Sequence, residues 1–132
     1  MRRPFLLALS LAFSTACATT TVLNTTTLSP AAKAEIKLKK GANDNAVGTL
    51  VAEHLAPAAL LSPDRQVYSV WIRQTDSLPW VNMGQMQVGD SRSGEFLLQT
   101  PYDAFDVLVT AEAKSTAVSP SEFIVLRGRA SL

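Results

Sequence analysis

From about residue 32 onward the chain alternates between apolar and polar positions with a period of two, the signature of half-buried strands. Ala34, Ile36 and Leu38 interleave with Glu35, Lys37 and Lys39. Gly41 and the run Asn43-Asp44-Asn45 then mark a turn, since these residue types tolerate left-handed backbone. A second strand covers Val47 to Glu53, with its facing left open because apolar residues occur at both parities. The segment 56–61 suits one helical turn with Pro57 near its start. Val67 to Arg73 is the strongest signal, with Tyr68, Val70 and Ile72 on one face and Trp71 and Arg73 on the other. Shorter strands are predicted at Met83 to Val88 and Glu95 to Gln99, separated by Gly89-Asp90 and Ser93-Gly94. In the next, Phe105, Val107, Val109 and Ala111 point inward, and Asp106, Leu108, Thr110 and Glu112 outward. A loop through Ser119-Pro120 leads to a last strand, Phe123 to Arg127.

About seven strands at this spacing, with no long helical period between them, predict an all-β, antiparallel, Ig-like sandwich over residues 32–132. A body of that size buries enough surface to fold without disulfides.

The beginning of the chain has a different pattern. Arg2 and Arg3 precede an apolar run from Phe5 to Phe13, followed by Ser14, Thr15 and Ala16. A positive start, a short apolar stretch and small residues are the three parts of a secretory signal peptide. Nine apolar-run residues are too few for a permanent membrane span, which needs about 20. The only cysteine, Cys17, follows at once, so residues 1–16 read as a lipoprotein signal peptide and Cys17 as the acylated residue. Two thioether-linked acyl chains would hold the protein stably on a membrane. Ser14 departs from the usual aliphatic residue at that place in a lipobox. The rival reading is plain secretion, with cleavage after Ala16 or Ala18. Arg2-Arg3 also resembles a twin-arginine signal, though nothing suggests a cofactor loaded before export. By the sorting rule for such lipoproteins, Ala18 after the cysteine favours an outer membrane where the bacterial envelope has one.

Residues 17–31 read as the acylated cysteine and a Thr-rich linker, with six threonines between Thr19 and Thr27 and no charge. As a coil the linker would hold the domain on the order of 20 Å from the lipid. The same threonines leave an extra edge strand near Val22 open.

Composition narrows function mostly by exclusion. The 132 residues carry twelve Lys+Arg, eleven Asp+Glu, one Cys and one His. A Cys/His zinc site and an internal disulfide are excluded. Loss of Arg2 and Arg3 leaves ten basic against eleven acidic side chains, a charge near −1 that does not suggest a nucleic-acid partner.

Six short runs occur together in order: Val67-Tyr68-Ser69-Val70-Trp71-Ile72, Met83-Gly84, Gly94-Glu95-Phe96, Val107-Leu108-Val109-Thr110-Ala111-Glu112, Ser119-Pro120 and Val125-Leu126-Arg127-Gly128. Across residues 46–129 this order resembles the extracytoplasmic C-terminal domain of anti-sigma-K-type factors. In that family a cytoplasmic segment binds the sigma factor and a transmembrane helix joins it to the outer domain. The sequence shows neither segment. The resemblance therefore implies a β-sandwich outside the membrane, without sigma-factor binding.

Candidate chemistry is sparse. His54 beside Glu53 is the sole possible imidazole base, but no Gly-x-Ser-x-Gly elbow accompanies it, and neighbours in a strand face opposite ways. Asp44, Asp90, Asp103 and Asp106 are too dispersed for the six to eight oxygens that calcium takes. Neither a catalytic centre nor a metal or cofactor is expected. Trp71, Trp80 and Arg73 form the best candidate binding surface, against the alternative that Trp71 is core packing. The expectation is a non-catalytic envelope lipoprotein with a binding or structural module, attached to the membrane and open to a protein partner. An accessory of envelope signalling and a small secreted hydrolase are the alternatives.

Overall fold

A computed structural model describes residues 17–132; the leader read at residues 1–16 lies outside the described residues. The fold is all-β and antiparallel. Eight strands follow in chain order: β1 (Thr19–Thr25), β2 (Lys33–Lys40), β3 (Ala46–Glu53), β4 (Val67–Arg73), β5 (Val81–Met86), β6 (Gly94–Thr100), β7 (Ala104–Glu112) and β8 (Ile124–Ser131). One helical turn, α1 (Ala58–Leu61), lies between β3 and β4, with Pro57 just before it. No helix among the described residues is long and apolar enough to cross a membrane.

Strands pair in the order β5-β4-β7-β8-β1-β2-β3-β6. Two four-stranded halves, β6-β3-β2-β1 and β5-β4-β7-β8, enclose the core between them. They are joined edge to edge where β1 meets β8, so the sandwich closes along that side into a barrel-like wrap. On the open side β5 and β6 approach each other. There Gly84, at φ +135°, leaves room for the Phe96 ring, which a Cβ would meet at 3.3 Å.

The inward-facing residues explain the wrap. Ile36 and Leu38 of β2, Leu50 of β3, Tyr68, Val70 and Ile72 of β4, Phe105, Val107 and Val109 of β7, and Leu126 of β8 form one buried cluster. The facing left open for β3 resolves with Ala46, Gly48, Leu50 and Ala52 inward and Val47, Thr49 and Val51 outward. Small inward residues leave space for the larger ones of β2 and β6: a Cβ on Gly48 would stand 2.8 Å from a methyl of Leu38. At one end, Tyr68 donates its hydroxyl proton to the Ala56 carbonyl, and burial pushes its pKa up to about 12.

Three boundaries differ from the sequence-based expectation. The strand expected at Met83 to Val88 runs from Val81 to Met86, and that expected to end at Arg127 continues to Ser131. Gly128 sits inside this last strand rather than ending it, because β1 packs tightly there: a Cβ would lie 2.8 Å from Leu23 Cδ2. The largest difference concerns the Thr-rich stretch. Read as a flexible linker, it forms β1, one strand more than the seven expected, and the folded unit begins at Thr19 rather than near residue 32.

β1 is not an edge. Thr19 to Leu23 pair with Leu38 to Ala34 of β2, and Asn24 and Thr25 pair with Arg127 and Leu126 of β8. Thr19 Oγ1 donates to the Ser131 carbonyl at 2.7 Å, and Thr26 Oγ1 to the Ile124 carbonyl at 2.6 Å, fastening both ends. β-Branched threonines suit this pleated setting. Leu23, 3% exposed, is the strand's large apolar anchor, whereas Val22 is 73% exposed. Leu23→Ala is accordingly expected to cost about 3 kcal/mol in chemical denaturation, and Val22→Ala less than about 0.5 kcal/mol. Equal, small effects would mean that the segment is a tether after all.

Candidate functional site

The strand register lines up outward-facing side chains in rows across the β5-β4-β7-β8 half. Asn24 stands opposite Arg127, Arg127 opposite Leu108, and Leu108 opposite Trp71, one row crossing β1, β8, β7 and β4. The next row sets Arg129 against Asp106 and Asp106 against Arg73. The loop between β4 and β5 then brings Trp80 onto Arg73, whose guanidinium lies 4.3 Å from the ring centroid. Between these groups runs a groove of about 400 Å³, lined among others by Asn24, Trp80, Leu108, Ile124 and Arg127.

Electrostatics give the groove its character. Asp106 accepts from Arg73 Nε at 3.0 Å and from Arg129 Nη1 at 2.9 Å. Partial burial works to raise its pKa, but the hydrogen bonds from Arg129 and Arg73 and their charges outweigh it and hold the carboxyl below its ordinary value. Both carboxylate oxygens are thus engaged. Arg127, exposed, has no carboxylate within ion-pair distance among the described residues. Three arginines against one aspartate leave this face with two positive charges in excess (3 − 1), beside the apolar Leu108, Ile124 and Trp80. Such an arrangement can hold an anion attached to an apolar group.

Of the sequence-predicted surface, Trp80 and Arg73 come together at this groove, and Trp71 does not belong to it. Trp71 does face away from Tyr68, Val70 and Ile72, yet it is fully buried. The segment between β7 and β8 folds down over it. Asn82 Nδ2 donates to the carbonyls of Ser115 and Ala117 at 3.1 and 2.9 Å, pinning that segment to the sheet. Beneath it Trp71 Nε1 donates to Thr110 Oγ1 at 2.8 Å, and Thr110 Oγ1 donates onward to Glu112 Oε1. The Ser121 amide donates to the same carboxylate oxygen at 2.7 Å. Arg65 closes the cluster, lying 4.0 Å from Glu112 Oε2 and stacked over Phe123. A polar network therefore buries the tryptophan on what would otherwise be a solvent face.

The remaining candidates are spread apart. His54 is exposed at the end of β3 with φ +57°, and the described structure gives it no hydrogen-bond partner. Asp103 is paired with Lys40 Nζ at 2.6 Å, and Asp44 lies in the neighbouring turn, whereas Asp90 lies at the opposite end. Among the described residues no group of three or more His, Cys, Asp or Glu side chains is placed to hold a metal ion. Cys17 is exposed, two residues before β1. A larger hollow of about 580 Å³ lies over β1, β2 and β3, but its Lys33, Glu35 and Glu53 mix both signs and no aromatic ring lines it.

Sequence reading missed Asn24, Leu108, Ile124 and Arg127 as groove residues. Only Leu108, apolar on the outward face, left a local signal; the others come together through the pairing of β1 with β8.

No family model matches the chain, and no curated protein and no solved structure matches it either.

The network under the β7–β8 segment has a measurable consequence. Glu112→Ala leaves the Thr110 hydroxyl and Ser121 amide without their buried acceptor, and should cost about 2–3 kcal/mol in urea denaturation. It should also free the covering segment and shift Trp71 emission to the red. A change below about 0.5 kcal/mol would show that the network does not hold the segment down.

Proposed function

We propose that this chain is a bacterial cell-envelope lipoprotein, exported, acylated at Cys17 and placed on the outer membrane where the envelope has one. Its barrel is a non-catalytic binding module whose site is the groove between Trp80 and Arg127. Support for the anchor comes from the order of the first seventeen residues: two arginines, a short apolar run, small residues, then the sole cysteine. The observation that carries the module is Arg127, a cation without a carboxylate partner among the described residues, beside an apolar floor and an aromatic wall. A carboxylate-bearing segment of a partner protein fits this chemistry: its acid meets Arg127, and its apolar side chains meet Leu108, Ile124 and Trp80.

Two measurements test the two halves. Mass spectrometry of the mature protein should find a chain that begins at Cys17 with its sulfur acylated. A free Cys17 thiol, or cleavage after Ala18, contradicts the anchor. For the module, a short acetylated peptide of alternating leucine and glutamate should change Trp80 emission on titration. Its glutamine counterpart should bind at least about tenfold more weakly, as should the acidic peptide to Arg127→Gln. Equal binding of both peptides to both proteins would contradict the reading.

A further inference from the structure

Antiparallel pairing fixes which loops share an end with Cys17. Strands β1, β3, β5 and β7 leave that end, and β2, β4, β6 and β8 return to it. The loops there are 41–45, 74–80 and 101–103, together with the C-terminal Leu132. The β3–β4 connection with α1, the β5–β6 turn and the start of the β7–β8 segment lie at the other end.

The Cys17 end carries exposed apolar and aromatic groups. Leu78 is 44% exposed and Val81 49%, with the half-buried Trp80 between them and half-buried Tyr102 in the 101–103 loop. Trp and Tyr among apolar neighbours at one end of a protein suit the boundary between lipid headgroups and acyl chains. Charge at this end is matched: Lys39, Lys40, Arg73 and Arg129 stand against Asp44, Asp76, Asp103 and Asp106, with Lys40 paired to Asp103 and both arginines to Asp106. A long-range pull toward anionic lipid is therefore not what would seat it.

Attachment is short. Thr19 is locked into the sheet by its pairing with Leu38 and its bond to the Ser131 carbonyl. Only Cys17 and Ala18 separate a lipid from the folded body, and two extended residues reach about 7 Å. The linker expected from the threonine-rich sequence would have allowed about 20 Å.

Resting on the reading of Cys17 as the acylated residue, we infer that the barrel sits directly on the bilayer surface. The 74–80 and 101–103 loops press into the headgroup region, and the Trp80 end of the groove opens at the membrane. A freely swinging body is excluded by the two-residue leash. The far end, with α1, stands one strand length away, about 23 Å for the seven residues of β1.

The test uses the mature acylated protein, extracted from the envelope and reconstituted into phosphatidylcholine vesicles, with or without bromine on the acyl chains near the headgroup. Flotation in 1 M salt reads anchorage, and quenching of tryptophan emission reads seating. Brominated lipid should lower Trp80 emission by about a third or more, and Trp80→Phe should abolish that loss because the remaining Trp71 is buried. A second variant, Trp80→Phe with Leu60→Trp, moves the reporter to α1, where Leu60 is 68% exposed; it should float and remain unquenched. Flotation without quenching of Trp80, or equal quenching of both reporters, overturns the seating and leaves the anchor standing. Failure to float removes the anchor and the seating together.

Discussion

The fold depends on a strand that pairs with one half of the sheet along most of its length and with the other half at its end. β1 contributes one large apolar side chain to the core, yet its backbone joins β8 to β2 and so couples the two halves of the sheet. Without it, β2 would present a free edge of unpaired amides and carbonyls, and the core between the halves would lose its cover where β1 meets β8. Leu23 and Gly128 show how closely the seam is fitted: the leucine occupies the space that a Cβ at residue 128 would need. The short distance from Cys17 to the body and the position of Asn24 beside Arg127 both follow from this seam.

Most of the fold was legible because most strands carry their own period-two pattern. Val67 to Arg73 announces its two faces, and the structure places Tyr68, Val70 and Ile72 in the core as that pattern requires. β1 was legible only as the alternative to a linker, for a physical reason. Threonine is polar enough to resemble a linker and β-branched enough to make a strand, and only partners distant in sequence decide between the two. The groove was half legible. Trp80 and Arg73 stood out by residue type, but Arg127 meets them through β8 and β7, and no local signal reports that. Trp71 misled for a related reason: its outward facing was read correctly, while the eleven-residue connection (123 − 113 + 1) that covers it has no periodic pattern of its own.

Two regions on the outer face of one sheet half have been put to different uses. Toward the end with the β7–β8 segment, a buried chain of hydrogen bonds from Trp71 through Thr110 to Glu112 ties down a loop and removes a tryptophan from solvent. Toward the Cys17 end the same face stays open: Arg73 and Arg129 share Asp106, and Arg127, one row further along, has no carboxylate within ion-pair distance among the described residues. A protein whose charge is nearly balanced thus keeps one cation, Arg127, without a carboxylate partner among the described residues, in the groove whose other end carries Trp80.

Amide hydrogen exchange of the mature protein tests the central claim about β1 most directly. The amides of Thr19 to Thr25 that bond across to β2 or β8 should exchange as slowly as those of the neighbouring strands, opening only with global unfolding. Exchange of that segment within seconds, while β2 and β8 stay protected, would contradict a strand built into the middle of the sheet.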